Sequence, residues 1–307
     1  MKKNEIYLGN CLELMAKLPD NSVDMILCDL PYGTTQCKWD TIIPLDKLWV
    51  QYNRVCKKNG AIVLTAAQPF TSNLIMSNPK YFKYNWIWEK SKATGYLNAK
   101  KMPMRAHEDV CVFYRKPPTY NPQMVQGTPY DKGTAHRPTG VYGAQGLKEK
   151  TKKRKEIAKM LKGKDKMESL KLVRLEMDKM KLAWTIIDKT ETMIEAIIKT
   201  IKPLKTTVKN KSGLRYPRTV QYFKTAESEG KKSVIHPTQK PVALFEYLIK
   251  TYTNSGDLVL DNCIGSGTTA IACINTGRDY IGMELEEKYY KKCVDRINQH
   301  KQKLQII

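Results

Sequence analysis

The chain has 307 residues, 41% of them hydrophobic, which is enough to bury a full α/β core in one large domain or one domain with an insertion and excludes a chain disordered throughout. Lys and Arg number 53 against 30 Asp and Glu, a formal net charge of +23, and this excess points to a polyanionic partner, nucleic acid before membrane. No apolar run reaches the roughly eighteen residues of a membrane span, and Met1-Lys-Lys-Asn-Glu5 leads into no signal-type apolar core, so a cytoplasmic protein is expected.

Residues 4–30 read as a short strand, a helix over 11–18, a turn at Pro19-Asp-Asn21 and a buried strand from Val23 to Cys28, one crossover unit of a parallel sheet. That strand delivers Asp29 to its carboxyl end. Leu30-Pro31 then holds the backbone extended, because a residue before proline is pushed out of the helical region, and Tyr32 projects over a cleft. These pieces suit methylation of an exocyclic amine on a base. Such an amine is a poor nucleophile because its lone pair is delocalised into the ring; Asp29 and the Leu30 carbonyl can accept its hydrogens, and Tyr32 can stack on a base extruded from a duplex. Methylating a ring carbon would instead need a cysteine nucleophile, and although Cys37 follows closely, the Asp-x-Pro-Tyr arrangement leaves a thiol no role.

Residues 34–43 form a loop at the mouth of the site, expected to order on substrate binding. Pro44 starts a helix from Leu45 to Lys57, for which Lys57-Lys-Asn-Gly60 reads as the carboxyl-terminal stop. Strands follow at 61–65, 84–88 and 110–114, with a further helix after Gln68-Pro-Phe70. This alternation predicts a doubly wound, mostly parallel, Rossmann-like sheet with ligands at the carboxyl ends of its strands. Between the last two strands, Lys90 to Arg105 mixes basic and small polar residues. It suits a loop touching phosphates and a base edge through Lys92, Lys100, Lys101 and Arg105, or else a solvated surface loop. Residues 115–145 are rich in Pro, Gly and Tyr and read as a long ordered loop.

Composition then shifts. Residues 147–211 hold 20 Lys and Arg against 9 Asp and Glu, and no Gly or Pro occurs between Asp165 and Lys202. Leu170, Val173, Met177, Met180, Trp184, Ile187, Ile194, Ile198 and Ile201 are spaced as a helical seam, interrupted at Glu191. The expectation is a basic, mainly helical insertion over 146–212. It serves target recognition, or a homodimer contact through residues 165–202, or folds back on its own domain. The catalytic domain is then split into 1–145 and 213–307.

His236-Pro-Thr-Gln-Lys-Pro241 opens a helix. Asp257-Leu-Val-Leu-Asp261 reads as a strand, the glycines of Cys263-Ile-Gly265-Ser-Gly267 as a tight loop, and Thr268 onward as a helix closed by Gly277. A second strand delivers Glu284, 23 positions after Asp261, where an acid can hold a ribose diol, so the pocket should take an adenosine. Gly265-x-Gly267-x-x-Ala270 also satisfies the loose dinucleotide fingerprint, whereas a phosphate-binding P-loop is excluded because no Gly-Lys-Ser/Thr follows. The eight cysteines form no C-x-x-C pair and the four histidines lack ligand spacing, so neither disulfide nor metal is expected.

On these motifs the chain resembles the S-adenosylmethionine-dependent DNA amino-methyltransferases, whose signature is Asp-Pro-Pro-Tyr with a separate Gly-x-Gly cofactor loop. The catalytic tetrapeptide coming first resembles their β group, many members of which are carried by phages and prophages and some of which belong to restriction-modification systems. Tyr7 to Met15, His107 to Arg115 and His236 to Pro241 fit as well, and the likeness covers residues 4–145 and 213–298. The resemblance implies Asp29, Leu30, Pro31 and Tyr32 as catalytic. It implies S-adenosylmethionine held by Asp261, Cys263, Gly265, Ser266, Gly267, Thr268 and Glu284, with Thr238 and Lys240 bordering its methionine part. An acid opening the tetrapeptide resembles the adenine-N6 enzymes, with cytosine-N4 as the alternative. Leu30 departs from the pattern, keeping the carbonyl and losing rigidity; a nucleic-acid-binding protein without turnover, or an RNA substrate, are the competing readings.

Overall fold

Val23–Asp29 (β2) is almost entirely buried, as a strand covered on both faces must be. The computed structural model describes residues 1–35, 37, 40–134, 168, 207–210, 212–229, 234–236 and 238–305. It places β2 inside an eight-stranded sheet. Across that sheet lie β1 (Glu5–Leu8), β12 (Asp279–Glu284), β11 (Leu258–Asp261), β2, β3 (Cys56–Ala66), β5 (Arg105–Phe113), β4 (Phe82–Thr94) and β10 (Val220–Phe223). Neighbours are parallel except at β5, which is antiparallel to both β3 and β4.

The side-chain period of two sends alternate residues to opposite faces. On one face Met25, Leu27, Val63, Val112 and Val259 pack under α5 (Val242–Tyr252), α6 (Thr268–Thr276) and α7 (Glu287–Gln305). On the other, Ile26, Cys28, Ile62, Leu64 and Leu260 pack under α1 (Cys11–Ala16), α2 (Leu45–Val55) and α3 (Phe70–Ser77). A single turn, α4 (Ala226–Glu229), follows β10. The doubly wound sheet expected from the sequence is therefore present. Local chemistry sets the helix ends: Asn10 caps α1 by accepting the Leu12 N–H at 2.9 Å, and Gly277, at φ 69°, closes α6 in the left-handed conformation that glycine adopts without strain.

Three expectations are corrected. Lys57-Lys-Asn-Gly60 does not stop a helix: α2 ends at Val55, and Cys56 already pairs with Val23 at the start of β3. Between the Val23–Cys56 and Met25–Ala61 pairs the register shifts, and the surplus residues of β3 bulge beside Asp24, whose Oδ1 takes Lys57 Nζ at 2.6 Å. Glycine stands at 60 because a Cβ there would lie 2.6 Å from both the Asp24 carbonyl oxygen and Cys56 Sγ. Next, the stretch from Lys90 to Arg105 is loop only from 95 to 104. β4 continues to Thr94 and β5 begins at Arg105, with a 3-10 turn at Tyr96–Asn98 between them, because Lys90 pairs with Phe223 of β10 and meets the Glu108 carboxylate, and Thr94 pairs with Arg105. Finally, residues 115–145 are not all loop: β6 (Val125–Gln126) pairs with β9 (Leu214–Arg215), and β7 (Tyr130–Thr134) runs antiparallel to β8 (Thr207–Asn210).

The chain divides into two compact units, one of Met1–Val125 with Arg215–Ile307 and one of Gln126–Leu214. The second contains the β7–β8 ladder. The helical seam of 165–202, and with it the homodimer contact, lies outside the described residues except for Glu168, which is helical. Among the described residues no helix is long and apolar enough to cross a membrane and no cluster of His, Cys, Asp or Glu is arranged for a metal ion.

Gly60→Ala tests the bulge. The added methyl must displace backbone, so unfolding should be easier by about 1–3 kcal/mol, the usual cost of overpacking, read as a lower thermal midpoint.

Candidate active site

A cavity of about 670 Å³ opens at the carboxyl ends of β2, β11 and β12. Asp29, Leu30, Pro31 and Tyr32 line it together with Asp261, Cys263, Gly265, Ser266, Thr268 and Glu284, and with Thr238 and Lys240. Stretches from the two ends of the chain thus meet. Parallel pairing of β2 with β11, Met25 opposite Val259 and Ile26 opposite Leu260, is what brings them to one edge.

Asp29 is the most heavily engaged group. Its Oδ1 accepts the Tyr32 hydroxyl at 2.7 Å and the hydroxyl of Thr65, its partner in the β2–β3 register. Its Oδ2 accepts Lys240 Nζ at 2.7 Å. Lys240 in turn lies 3.3 Å from Glu108 Oε2, and Glu108 Oε1 holds Lys90 Nζ at 2.5 Å. The four side chains alternate in sign and sum to zero, which is how a mostly desolvated charge cluster stays tolerable. Burial alone would push the Lys240 ammonium toward neutrality, but the Asp29 and Glu108 carboxylates overcome it and raise its pKa. Burial likewise opposes ionisation of Glu108, and the two lysines reverse this and hold its carboxyl below the usual range. The Tyr32 ring stacks on Phe70 at 5.2 Å and 23°, and burial next to Asp29 pushes its hydroxyl well up. The turn after Tyr32 is built on Asp40, whose carboxylate accepts the Gly33, Thr34 and Thr35 N–H groups at 2.9, 2.9 and 2.7 Å.

Across the cavity, Glu284 is buried at the end of β12. Its Oε2 accepts Gly265 N–H and its Oε1 accepts Glu286 N–H, both at 2.9 Å, and burial raises its pKa. Asp261 accepts Cys263 N–H at 3.0 Å and the Thr269 hydroxyl, and burial pushes its carboxyl up to about 7. Cys263 is half-buried beside Cys11. Gly265, at φ 52°, turns the chain, and Gly267, at φ 81°, starts α6 pressed against α7, where a Cβ would meet Cys293 Sγ at 2.8 Å; Gly267 does not line the cavity. The Ser266 carbonyl accepts Arg296 Nη1 at 2.8 Å, and the Thr268 hydroxyl donates to the Lys240 carbonyl at 3.1 Å, tying the glycine loop to the lysine segment. Thr238 lies within 3.1 Å of His236 Nδ1, and burial lowers the His236 pKa.

Of the four basic residues assigned to nucleic acid, Lys92 and Arg105 line the cavity's outer part, Lys92 lying 3.7 Å from Glu227, while Lys100 and Lys101 are exposed after the 3-10 turn and do not line it. Sequence reasoning missed Thr65, Phe70, Lys90, Glu108 and Arg296. Glu108 left a trace, as an acid beside the apolar run of β5; Arg296 left none beyond its place on an amphipathic helix.

A family model described as DNA methylase matches residues 23–295. A putative methylase, YubD, of Escherichia coli (strain K12) is 44% identical over 62 residues, 20% of this chain and 27% of that protein. The type II methyltransferase M.HpaI of Haemophilus parainfluenzae is 37% identical over 82 residues, 27% of this chain and 26% of that protein. The chain thus spans about a quarter of the curated relatives it matches. Among solved structures, the M1.HpyAVI–SAM complex aligns over 96% of this chain and 98% of that one, with a TM-score of 0.54 and 20% identity. The cytosine-N4-specific PvuII DNA methyltransferase aligns over 98% and 93%, with a TM-score of 0.54 and 14% identity. At such identities the two structures establish the fold.

Glu284→Ala removes the acceptor of two loop N–H groups. Affinity for S-adenosylhomocysteine, measured by calorimetry, should fall at least about tenfold, since a hydrogen bond from a ribose hydroxyl to a carboxylate is worth about 1.5–3 kcal/mol.

Proposed function

The chain belongs to the DNA methylase family, and from that premise we propose that it moves a methyl group from S-adenosylmethionine to the exocyclic N6 amine of an adenine flipped out of duplex DNA. The observation that carries this reading is that Asp29 and Tyr32 line the same cavity as Gly265 and Glu284.

The donor set fits the cofactor. Glu284 spends one N–H contact on each oxygen and keeps lone pairs for a ribose diol, as an acid at the end of the second strand can. Gly265 lets the backbone approach a ligand closely, and Asp261, Cys263, Ser266 and Thr268 complete that wall. Thr238 and Lys240 border the space between this wall and Asp29. When bound, the cofactor supplies an electrophilic methyl group on a sulfonium.

The chain's own part is to orient the amine. Asp29 and the Leu30 carbonyl accept its two hydrogens and turn its remaining electron density toward the methyl donor, and Tyr32 holds the ring plane. Replacing proline by leucine at position 30 leaves that carbonyl in place. Asp29 need not take a proton before transfer, because the amine becomes acidic only once the methyl has moved, and water can take the proton afterwards. Lys92, Lys100, Lys101 and Arg105 supply phosphate contacts along the β4–β5 hairpin, consistent with the chain's +23 charge.

The direct test incubates the protein with cofactor and unmethylated genomic DNA, digests to nucleosides and identifies the product by mass. N6-methyladenosine as the deoxynucleoside is expected; N4-methylcytosine would move the substrate to the other amine, and no product from DNA with product from structured RNA would replace the substrate class. Asp29→Ala should reduce product on the order of 10³-fold, the scale of losing one preorganised polar group, with cofactor affinity within about threefold. Full activity in that variant would remove Asp29 from the mechanism.

A further inference from the structure

Asp29 must offer an oxygen to the target amine; Oδ1 already accepts two hydroxyls, and Oδ2 keeps a lone pair beside its one donor, so access depends on where that donor stands. Oδ1 takes the hydroxyls of Tyr32 and Thr65, groups anchored by Phe70 and by strand register. Oδ2 takes Lys240 Nζ at 2.7 Å, and the same ammonium lies over the Tyr32 ring, 5.4 Å from its centroid. An incoming base needs that oxygen and that ring, and Lys240 stands in the way of both.

The ammonium cannot simply leave. Its residue is 7% exposed, and a buried cation deprived of its anion is strongly disfavoured. Its backbone is pinned through the Thr268 hydroxyl, so only the side chain is free to swing. One further acceptor stands within reach. Glu108 Oε2 is buried and already ion-pairs with Nζ at 3.3 Å, without the well-directed hydrogen bond that Asp29 Oδ2 makes at 2.7 Å, while Oε1 is held by Lys90. This more loosely held carboxylate oxygen beside the buried ammonium is the second of two seats for one cation.

We propose that Lys240 is a positioning residue that closes the base pocket by holding Asp29 Oδ2 and opens it by moving onto Glu108 Oε2 as the target amine takes its place. This rests on the methyl-transfer reading and adds a step to it. The cluster of Lys90, Glu108, Lys240 and Asp29 sums to zero in both arrangements, and the ion pair loosened at Asp29 is offset by a tighter one at Glu108. No proton changes owner: Lys240 remains an ammonium, and one N–H of the amine replaces its N–H on Asp29 Oδ2, the other reaching the Leu30 carbonyl. The empty site keeps its carboxylate paired, and the occupied one frees it only when a donor of the right geometry is present.

The test measures S-adenosylhomocysteine affinity and single-turnover methylation at saturating DNA for the wild type, Glu108→Gln, Lys240→Arg and the double variant Glu108→Gln/Lys240→Met. Glu108→Gln weakens the second seat and leaves the ammonium on Asp29. Its transfer rate should fall about tenfold to a hundredfold with cofactor affinity unchanged, a loss confined to the step after binding. Lys240→Arg keeps the charge, but its wide fork can bridge both carboxylates at once and should slow transfer in the same way. The double variant has no cation to displace and should regain at least about tenfold over Glu108→Gln. Wild-type rates in Glu108→Gln, or in Lys240→Arg, would overturn the proposal, as would a folded double variant no faster than Glu108→Gln. If the double variant does not fold, Lys240→Arg decides, because a lysine that merely balances charge is replaced by arginine without loss of rate. A wild type that methylates no nucleic acid would sink the methyl-transfer reading itself, a result separate from an active wild type matched by its variants.

Discussion

Strand β2 lies beside β11 in parallel, and the rest of the site depends on it. Parallel neighbours cannot be joined by a tight turn, so the chain must leave the sheet and return by a crossover. Here it returns more than two hundred residues later. Asp24 fastens the junction from inside β2: its Oδ2 accepts Leu258 N–H at 3.0 Å while its Oδ1 takes Lys57. Because the strands run the same way, both carboxyl ends emerge at one edge. Asp29 and Asp261, each the last residue of its strand, therefore face one cavity, where ligands of doubly wound sheets bind.

That edge concentrates charge in a poorly hydrated place, and the protein manages its two walls differently. On the Asp29 side, carboxylates and ammoniums alternate from Asp29 through Lys240 and Glu108 to Lys90. Removing one member of such a buried pair costs about 3–5 kcal/mol, so the cluster acts as one unit. On the Glu284 side no cation among the described residues neutralises Glu284 or Asp261. Backbone N–H groups and the Thr269 hydroxyl support them instead, and burial leaves their pKa values raised, Asp261 to about 7. Acids supported by neutral donors keep capacity for a neutral diol, whereas a salt-bridged acid suits the exchange of one donor for another.

The loops around the cavity are shaped by side chains acting as backbone caps. Asp40 gathers three consecutive N–H groups behind Tyr32, and although burial opposes it, those donors hold its carboxyl below the usual range. Arg296, reaching from α7, fixes the Ser266 carbonyl from behind the glycine turn. Gly267 has no room for a side chain because α7 presses there, so its conservation of space serves the helix junction and not the ligand directly. Each cap lets an irregular segment keep a defined shape without regular secondary structure.

The strands around β2 and β11, the acid-leucine-proline-tyrosine corner and the glycine turn were legible in the sequence because their signals are local. An apolar run, a proline that restricts its predecessor and a glycine at positive φ each act within a few residues. Local signals misled where partners were distant. Lys57 to Gly60 reads as a helix stop until Asp24 and Val23 draw it into β3, and Lys90 to Thr94 reads as loop until β10 pairs with Lys90 and β5 with Thr94. The charge cluster was beyond local reading altogether. Lys240 and Asp29 are 211 positions apart, and nothing near either one specifies the other. Sequence determined which residues could carry chemistry, because conformational preference and side-chain type are local properties. Only the tertiary structure decided which of them share a carboxylate, because ionic and hydrogen-bonded contacts follow distance in space.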